Sequence, residues 1–130
     1  QGVEPDLSGT HRAKGVTHRP VFHLMADKYL SDDYAPEAVE ESCGISAKHI
    51  RAIAADLARV AFDEAIELDR EWTDFRGVKH DKMIGRPVSF HAMRGISAHS
   101  NGFQTCRALH MLQIILGSVE TPGGMRFKPP

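Results

Sequence analysis

No run in this chain stays apolar for the roughly 18 residues that a bilayer-spanning helix needs. Cysteine is scarce: Cys43 and Cys106 stand alone, form no C-x-x-C pair, and so predict two buried thiols, not a zinc site or a disulfide framework. No excess of one charge exists either. Sixteen Lys and Arg face 17 Asp and Glu, which excludes a general binder of nucleic acid or membrane surfaces, both of which need a basic stripe. The phosphate-binding patterns G-x-x-x-x-G-K-[ST] and G-x-G-x-x-G are missing, as are internal repeats and low-complexity tracts.

What is present would suit a modest core, since 42% of the 130 residues are hydrophobic. Residues 1–20 mix Gly, Pro and polar side chains without a period and predict loop. "VFHLMADKYL" (21–30) predicts a short helix or a buried extended segment. In the next stretch Pro36 suits a first helical turn, Glu37, Glu40 and Glu41 favour its positive end, and Gly44 suits its stop. Ser46 then predicts an N-cap, with Ile50, Ile53, Ala54, Leu57 and Ala61 at helical spacing. Lys48, Arg51, Asp56 and Arg59 fall mainly on the opposite, solvated face. Residues 63–85 turn polar and predict a surface excursion with turns near Gly77 and Gly85, pinned by Trp72 and Phe75. His80 beside Asp81 lacks further partners at ligand spacing, so no metal site is expected there.

The densest chemistry follows. "RPVSFHAM" predicts a strand opening at Pro87, with Val88, Phe90 and Ala92 on one face and Ser89, His91 and Met93 on the other. It ends at Arg94-Gly95, and Asn101 predicts the N-cap of a helix running to about Leu116, stopped by Gly117. A strand-loop-helix unit at 88–116 is where α/β proteins hold ligands, so the fold class expected is α/β. The helix start favours an anion, Arg94 adds a fork of donors, and Gly95 and Gly102 would admit a ligand close to the backbone. The bland alternative is a β–α turn whose polar groups satisfy each other. His91 and His110 are expected as satisfied core histidines. "FQTCRALHMLQIILG" is apolar around most of its circumference, as in helices buried on all sides of a large protein. Together with Gln1 and the closing "FKPP", it predicts that residues 1–130 are one partial domain, a segment of a longer chain.

"DYAPEAVEESCGISAKHIRAIAADLA" and "GISAHSNGFQTCRALHMLQIILGSVETPGG" resemble, in the same order, two segments of molybdopterin oxidoreductases of the dimethyl-sulfoxide-reductase type. The likeness covers about half the chain, and its specific part is the pair of glycines with His99, Arg107, Gly117 and Pro122-Gly123-Gly124. "RPVSFHAMRGISAHSNGFQTCRALH" is most similar to the sulfur-compound branch, the sulfite dehydrogenase and polysulfide or thiosulfate reductase catalytic subunits. The resemblance implies a helix-rich piece of a large catalytic domain that holds molybdenum, or tungsten, as molybdenum bis(molybdopterin guanine dinucleotide). It implies cofactor-facing roles for Arg94, Gly95, Ala98 and His99, with Ser97, Asn101 and Gly102 supporting; relatives often carry an amide where this chain has Ala98. Arg94 and His99 would also serve catalysis, by stabilising an oxyanion and by orienting groups or moving protons. The family's iron–sulfur cysteine motif and metal-ligating residue lie upstream of such a segment, so neither Cys43 nor Cys106 matches a metal position. Expected partners are an iron–sulfur electron-transfer subunit, a membrane-anchor subunit, and a small inorganic anion as substrate, with no nucleic acid. The competing reading is a free-standing module that binds an anion or a partner without catalysis.

Overall fold

The computed structural model describes residues 5–126, so Gln1 and the closing "FKPP" lie outside the described residues. The chain forms a small mixture of helices and antiparallel strand pairs and divides into two compact units, Gln1–Ala52 and Ile53–Pro130.

In the first unit a short hairpin pairs β1 (His11–Ala13) with β2 (Val16–His18), His11 opposite His18. It replaces the loop expected there. Lys14 and Gly15, both with positive φ (50° and 78°), make the tight turn that matches strand twist. Helix α1 (Val21–Tyr29) follows, so the helical alternative for 21–30 is the one adopted. Helix α2 (Pro36–Cys43) begins at Pro36 as expected and stops at Gly44, which takes the left-handed conformation that glycine adopts without strain. Helix α3 (Ala47–Ala58) begins after Ser46. The His49 amide reaches the Ser46 hydroxyl only at 3.4 Å, while the Glu40 carboxylate accepts from the Ala47 amide at 2.8 Å. The effective cap is thus borrowed from α2. Arg51 grips Glu37 with a two-pronged contact of 2.7–3.1 Å, whose hydrogen bonds lower the Glu37 pKa and raise that of Arg51.

The second unit has its core where Ala61, Val88 and Leu116 meet, with Leu57, Val60, Phe90 and Leu112 packed around them. A π-helical turn (Arg59–Asp63) continues α3, and Arg59 pairs with Asp56 and Glu64 on its exposed side. Residues 66–85 then form a ribbon of two nested antiparallel pairs. β3 (Ile66–Leu68) pairs with β6 (Met83–Gly85), and β4 (Trp72–Thr73) pairs with β5 (Lys79–His80). The polar text of 63–85 hides this ribbon because a hairpin with both faces wet needs little apolar alternation. Trp72 does anchor it, donating from Nε1 to the Lys82 carbonyl at 2.9 Å and stacking on His80 at 4.6 Å. Phe75 does not, being 98% exposed at the tip.

The strand expected at 88–93 is not formed. Those residues run extended, but no neighbour among the described residues offers a ladder; the Val88 amide bonds instead to the Arg86 carbonyl at 2.7 Å. The alternation of faces survives briefly, with Val88 buried and Phe90 half-buried between exposed Ser89 and His91. Helix α4 (Gly102–Ile115) closes the unit. Gly117, at φ 65°, stops it as expected, and the Ser118 amide reaches back to the Gln113 carbonyl at 3.1 Å.

Helix α4 covers one stripe, which includes a glutamine, and leaves three large apolar side chains outside it. Gly102, Cys106, Leu109, Gln113 and Leu116 recur at helical spacing and form the covered stripe, buried or half-buried in turn. Gln113 is 1% exposed, and its Oε1 has no partner among the described residues. Phe103, Ile114 and Ile115 are 76%, 61% and 59% exposed.

Candidate functional site

The residues singled out in the sequence occupy one short path between Met93 and α4. Arg94–Ser97 form a 3-10 turn held by the Ile96 amide on the Met93 carbonyl and the Ala98 amide on the Gly95 carbonyl, both 3.2 Å. Ser97 tightens it by donating its hydroxyl to the Arg94 carbonyl at 2.9 Å. The next turn closes with the Gly102 amide on the His99 carbonyl at 3.0 Å. Backbone bonding therefore fixes the path, and Arg94, Gly95, Ser97, Ala98, His99 and Asn101 are all exposed along it.

The two glycines play different parts. A Cβ on Gly102 would overlap the Ser97 carbonyl oxygen and lie 2.6 Å from its carbonyl carbon. The missing side chain thus lets the chain's own 3-10 turn sit on the start of α4, and no ligand is needed to explain it. Around Gly95 a Cβ would meet no heavy atom within 4 Å. This is the open approach to the backbone.

Polar capacity remains along the path. Neither Arg94 nor His99 makes a side-chain hydrogen bond or ion pair among the described residues. Asn101 precedes α4 but forms no side-chain cap, contrary to expectation; at φ −103° and ψ 13° its backbone lies outside the extended region from which cap side chains reach forward. The helix start is consequently open on its donor side, which favours an anion there. Among the described residues no group of three His, Cys, Asp or Glu side chains comes together.

Other expectations change. His91 and His110 are exposed, not core residues. Cys43 is exposed as well and Cys106 half-buried, because the stripe of α4 that carries Cys106 is only partly covered. His80 turns towards Asp74, with Nε2 3.2 Å from Oδ2, and contributes to the ribbon tip. A shallow apolar hollow of about 320 Å³, bounded by Ile53, Leu57, Val60, Pro87 and Val88, shares no residue with the Arg94–Gly102 path.

One structurally central residue carried no sequence signal. Arg86 donates from Nη1 to the buried Ala61 carbonyl at 2.7 Å and lies 5.1 Å from the Phe62 ring centre. Its amide reaches the Thr121 hydroxyl at 3.3 Å. The Pro122-Gly123-Gly124 turn packs against the same place, with Pro122 over Gly85 and Gly124 over the Ser118 carbonyl. The turn glycines that support the family resemblance thus fasten the ribbon base to the end of α4.

Comparison with known proteins gives one informative similarity. The chain is 42% identical over 130 residues to a sulfite dehydrogenase subunit from Allochromatium vinosum, covering 99% of this chain. It spans 13% of that relative's length. No family model matches the chain, and no solved structure matches it.

Proposed function

We propose that this chain is a segment of the catalytic subunit of an oxidoreductase acting on an inorganic sulfur compound, sulfite being the first choice and thiosulfate or polysulfide the others. The observation that carries this reading is the 42% identity, sustained across 99% of the chain, to a sulfite dehydrogenase subunit. The Arg94–Gly102 path supports it independently, since it offers an unpaired guanidinium, an open glycine and a donor-rich helix start in one short stretch.

Those features suit the edge of a bis-pterin molybdenum or tungsten group, whose dinucleotide arms are anionic. Arg94, Gly95, Ala98 and His99 would face it, with Ser97, Asn101 and Gly102 holding the path in shape. When bound, such a group supplies the two-electron chemistry. Sulfite becomes sulfate by gaining one water oxygen and releasing two protons and two electrons, so the protein must hold an oxyanion and accept protons. Arg94 can do the first through its planar fork, and the exposed imidazole of His99 can do the second. Electrons would leave through iron–sulfur centres of the longer subunit to an iron–sulfur partner subunit, with a membrane-anchor subunit completing the assembly.

The test is Arg94→Ala and Arg94→Lys in the full-length polypeptide, read as metal and pterin content and as sulfite-dependent reduction of an artificial acceptor. A hydrogen bond to a charged group contributes roughly 1.5–3 kcal/mol, so Arg94→Ala should lower turnover or cofactor retention about 10- to 150-fold. Lysine keeps the charge without the fork and should restore only part of the loss. Normal content and normal kinetics in both variants would refute the assignment.

A further inference from the structure

We propose that His23 is a proton-sensitive latch that ties the β1–β2 hairpin to α1 only while its imidazole is neutral. The Gly9 amide donates to Nδ1 of His23 at 2.8 Å. A backbone amide can only donate, so Nδ1 is the acceptor and the single ring proton sits on Nε2. That nitrogen lies 3.4 Å from Asp27 Oδ2, and the His23 side chain is 24% exposed. A second proton has to enter at Nδ1, where it meets the Gly9 N–H, and an imidazolium ring has no acceptor to offer. Proton uptake therefore exchanges the Gly9 bond for a full ion pair with Asp27.

What this bond holds has little else to hold it. Every residue of β1 and β2 is exposed, and a lone two-stranded hairpin is marginally stable at best in water. Among the described residues the Gly9–His23 contact is the one hydrogen bond from residues 5–18 to α1. The neighbouring ionisable groups behave differently. On the helix side Asp27 also pairs with Arg19, which stays charged throughout. On the hairpin side His11 donates from Nε2 to the Ser8 carbonyl at 3.3 Å, with Nδ1 3.7 Å from the Asp6 carboxylate, and both contacts survive protonation. His18, opposite His11 across the ladder, would add a like charge there. Acidification thus removes one specific bond, and the hairpin loses its tie to α1. The latch is separate from the Arg94–Gly102 path and does not rest on the catalytic reading.

The test is hydrogen–deuterium exchange of the full-length polypeptide at about pH 8 and about pH 5, the span over which imidazole changes charge, corrected for intrinsic exchange. In the parent, protection of the peptide covering 5–18 should fall about fivefold on acidification, the equivalent of one net hydrogen bond, while α2 and α3 keep theirs. His23→Asn sets an amide oxygen near the place of Nδ1 and cannot titrate, so protection should stay high at both pH values. His23→Phe offers no acceptor, so protection should be low at both. An unchanged parent would overturn the proposal, as would an equal fall in α2 and α3, which marks general loosening in acid. A parent-like pH response in His23→Asn would assign the change to His11 or His18 and overturn it too. Low protection in His23→Asn at both values, or parent-like protection in His23→Phe at about pH 8, would show that the bond is no latch.

Discussion

Adding one methyl group at Gly102 separates the two glycines of the candidate site. In Gly102→Ala the new Cβ would lie inside the contact distance of the Ser97 carbonyl oxygen, 2.6 Å from its carbonyl carbon and 2.8 Å from its Cα. All three are backbone atoms, so relief means moving the 3-10 turn away from α4. Overpacking of this kind costs about 1–3 kcal/mol. Alanine's helix preference offsets at most about 1 kcal/mol, a figure that belongs to helix interiors and not to a first residue such as this one. In Gly95→Ala no heavy atom lies within 4 Å and the backbone is not left-handed, so the change should be neutral or stabilise by about 0.4–1 kcal/mol. The two variants should therefore differ by about 2 kcal/mol, or about 1 M in urea midpoint at a slope near 2 kcal/mol/M. Equilibrium urea unfolding of the 130-residue chain, followed by Trp72 fluorescence at one fixed protein concentration, reads this directly. Under the proposed function the order should reverse for activity of the full-length polypeptide, because Gly95→Ala would obstruct the open approach while leaving the fold intact. Equal midpoints, or a Gly102→Ala chain as stable as its parent, would refute the assignment of Gly102 to packing.

Asp74 has its pKa lowered, first by the Val78 backbone bond and then by His80, Arg76 and its amide, against the opposing effect of burial. Its contribution to the ribbon tip is therefore complete above the unfolded carboxylate value of about 3.9 and is lost as pH falls through the lower folded value; the Arg76 and Val78 amide resonances should titrate together below about pH 3.9, and a midpoint above that would contradict the geometry. Gln113→Met removes a buried acceptor without a partner and nearly conserves volume, so the isolated chain should gain about 1–2 kcal/mol in urea unfolding; a loss of stability would show that Oε1 is satisfied after all. Phe103, Ile114 and Ile115 should drive concentration-dependent association of the 130-residue chain in sedimentation experiments, and Ile114→Ser should shift it towards monomer. A chain that stays monomeric throughout would count against a covered outer face on α4.

How legible the fold was varies with where its information lies. Stops and periods are local, so α2, α3 and α4 and the glycines at 44 and 117 could be placed from spacing alone, whereas Asn101 forms no side-chain cap and α3 takes its shortest cap bond from Glu40 and not from Ser46. The strand at 88–93 could not, because alternation specifies a face while a strand requires a partner, and none of the described residues supplies one. The ribbon at 66–85 failed in the opposite sense: it has its partners but almost no alternation to betray them. Phe75 illustrates the limit of composition, since an aromatic in a polar stretch predicts an anchor as readily as an exposed ring. For the candidate site, the contiguous Arg94–Gly102 path was visible as chemistry. The distinct roles of its glycines were not, because the atom that excludes a Cβ at Gly102 belongs to a carbonyl five residues earlier.

A buried glutamine and an apolar outer patch on α4 bear on what this helix requires. Its covered stripe includes an unpartnered Gln113 acceptor, which costs roughly 1–3 kcal/mol. Its outer side leaves Phe103, Ile114 and Ile115 between 59% and 76% exposed. Fully burying side chains of this size contributes about 1.5–3 kcal/mol each, so covering the exposed two-thirds of three such residues is worth roughly 3–6 kcal/mol. Of these two energies the greater is thus the one that the 130 residues leave unrealised. Propensity does not compensate, because β-branched isoleucine and aromatic phenylalanine are weaker helix formers than leucine or alanine. A sequence selected for an isolated surface helix would place glutamine outward and isoleucine inward; this one does the reverse at adjacent positions, 113 and 114. That order makes physical sense when a further apolar surface lies on the outer face, as the interior of a longer polypeptide would provide.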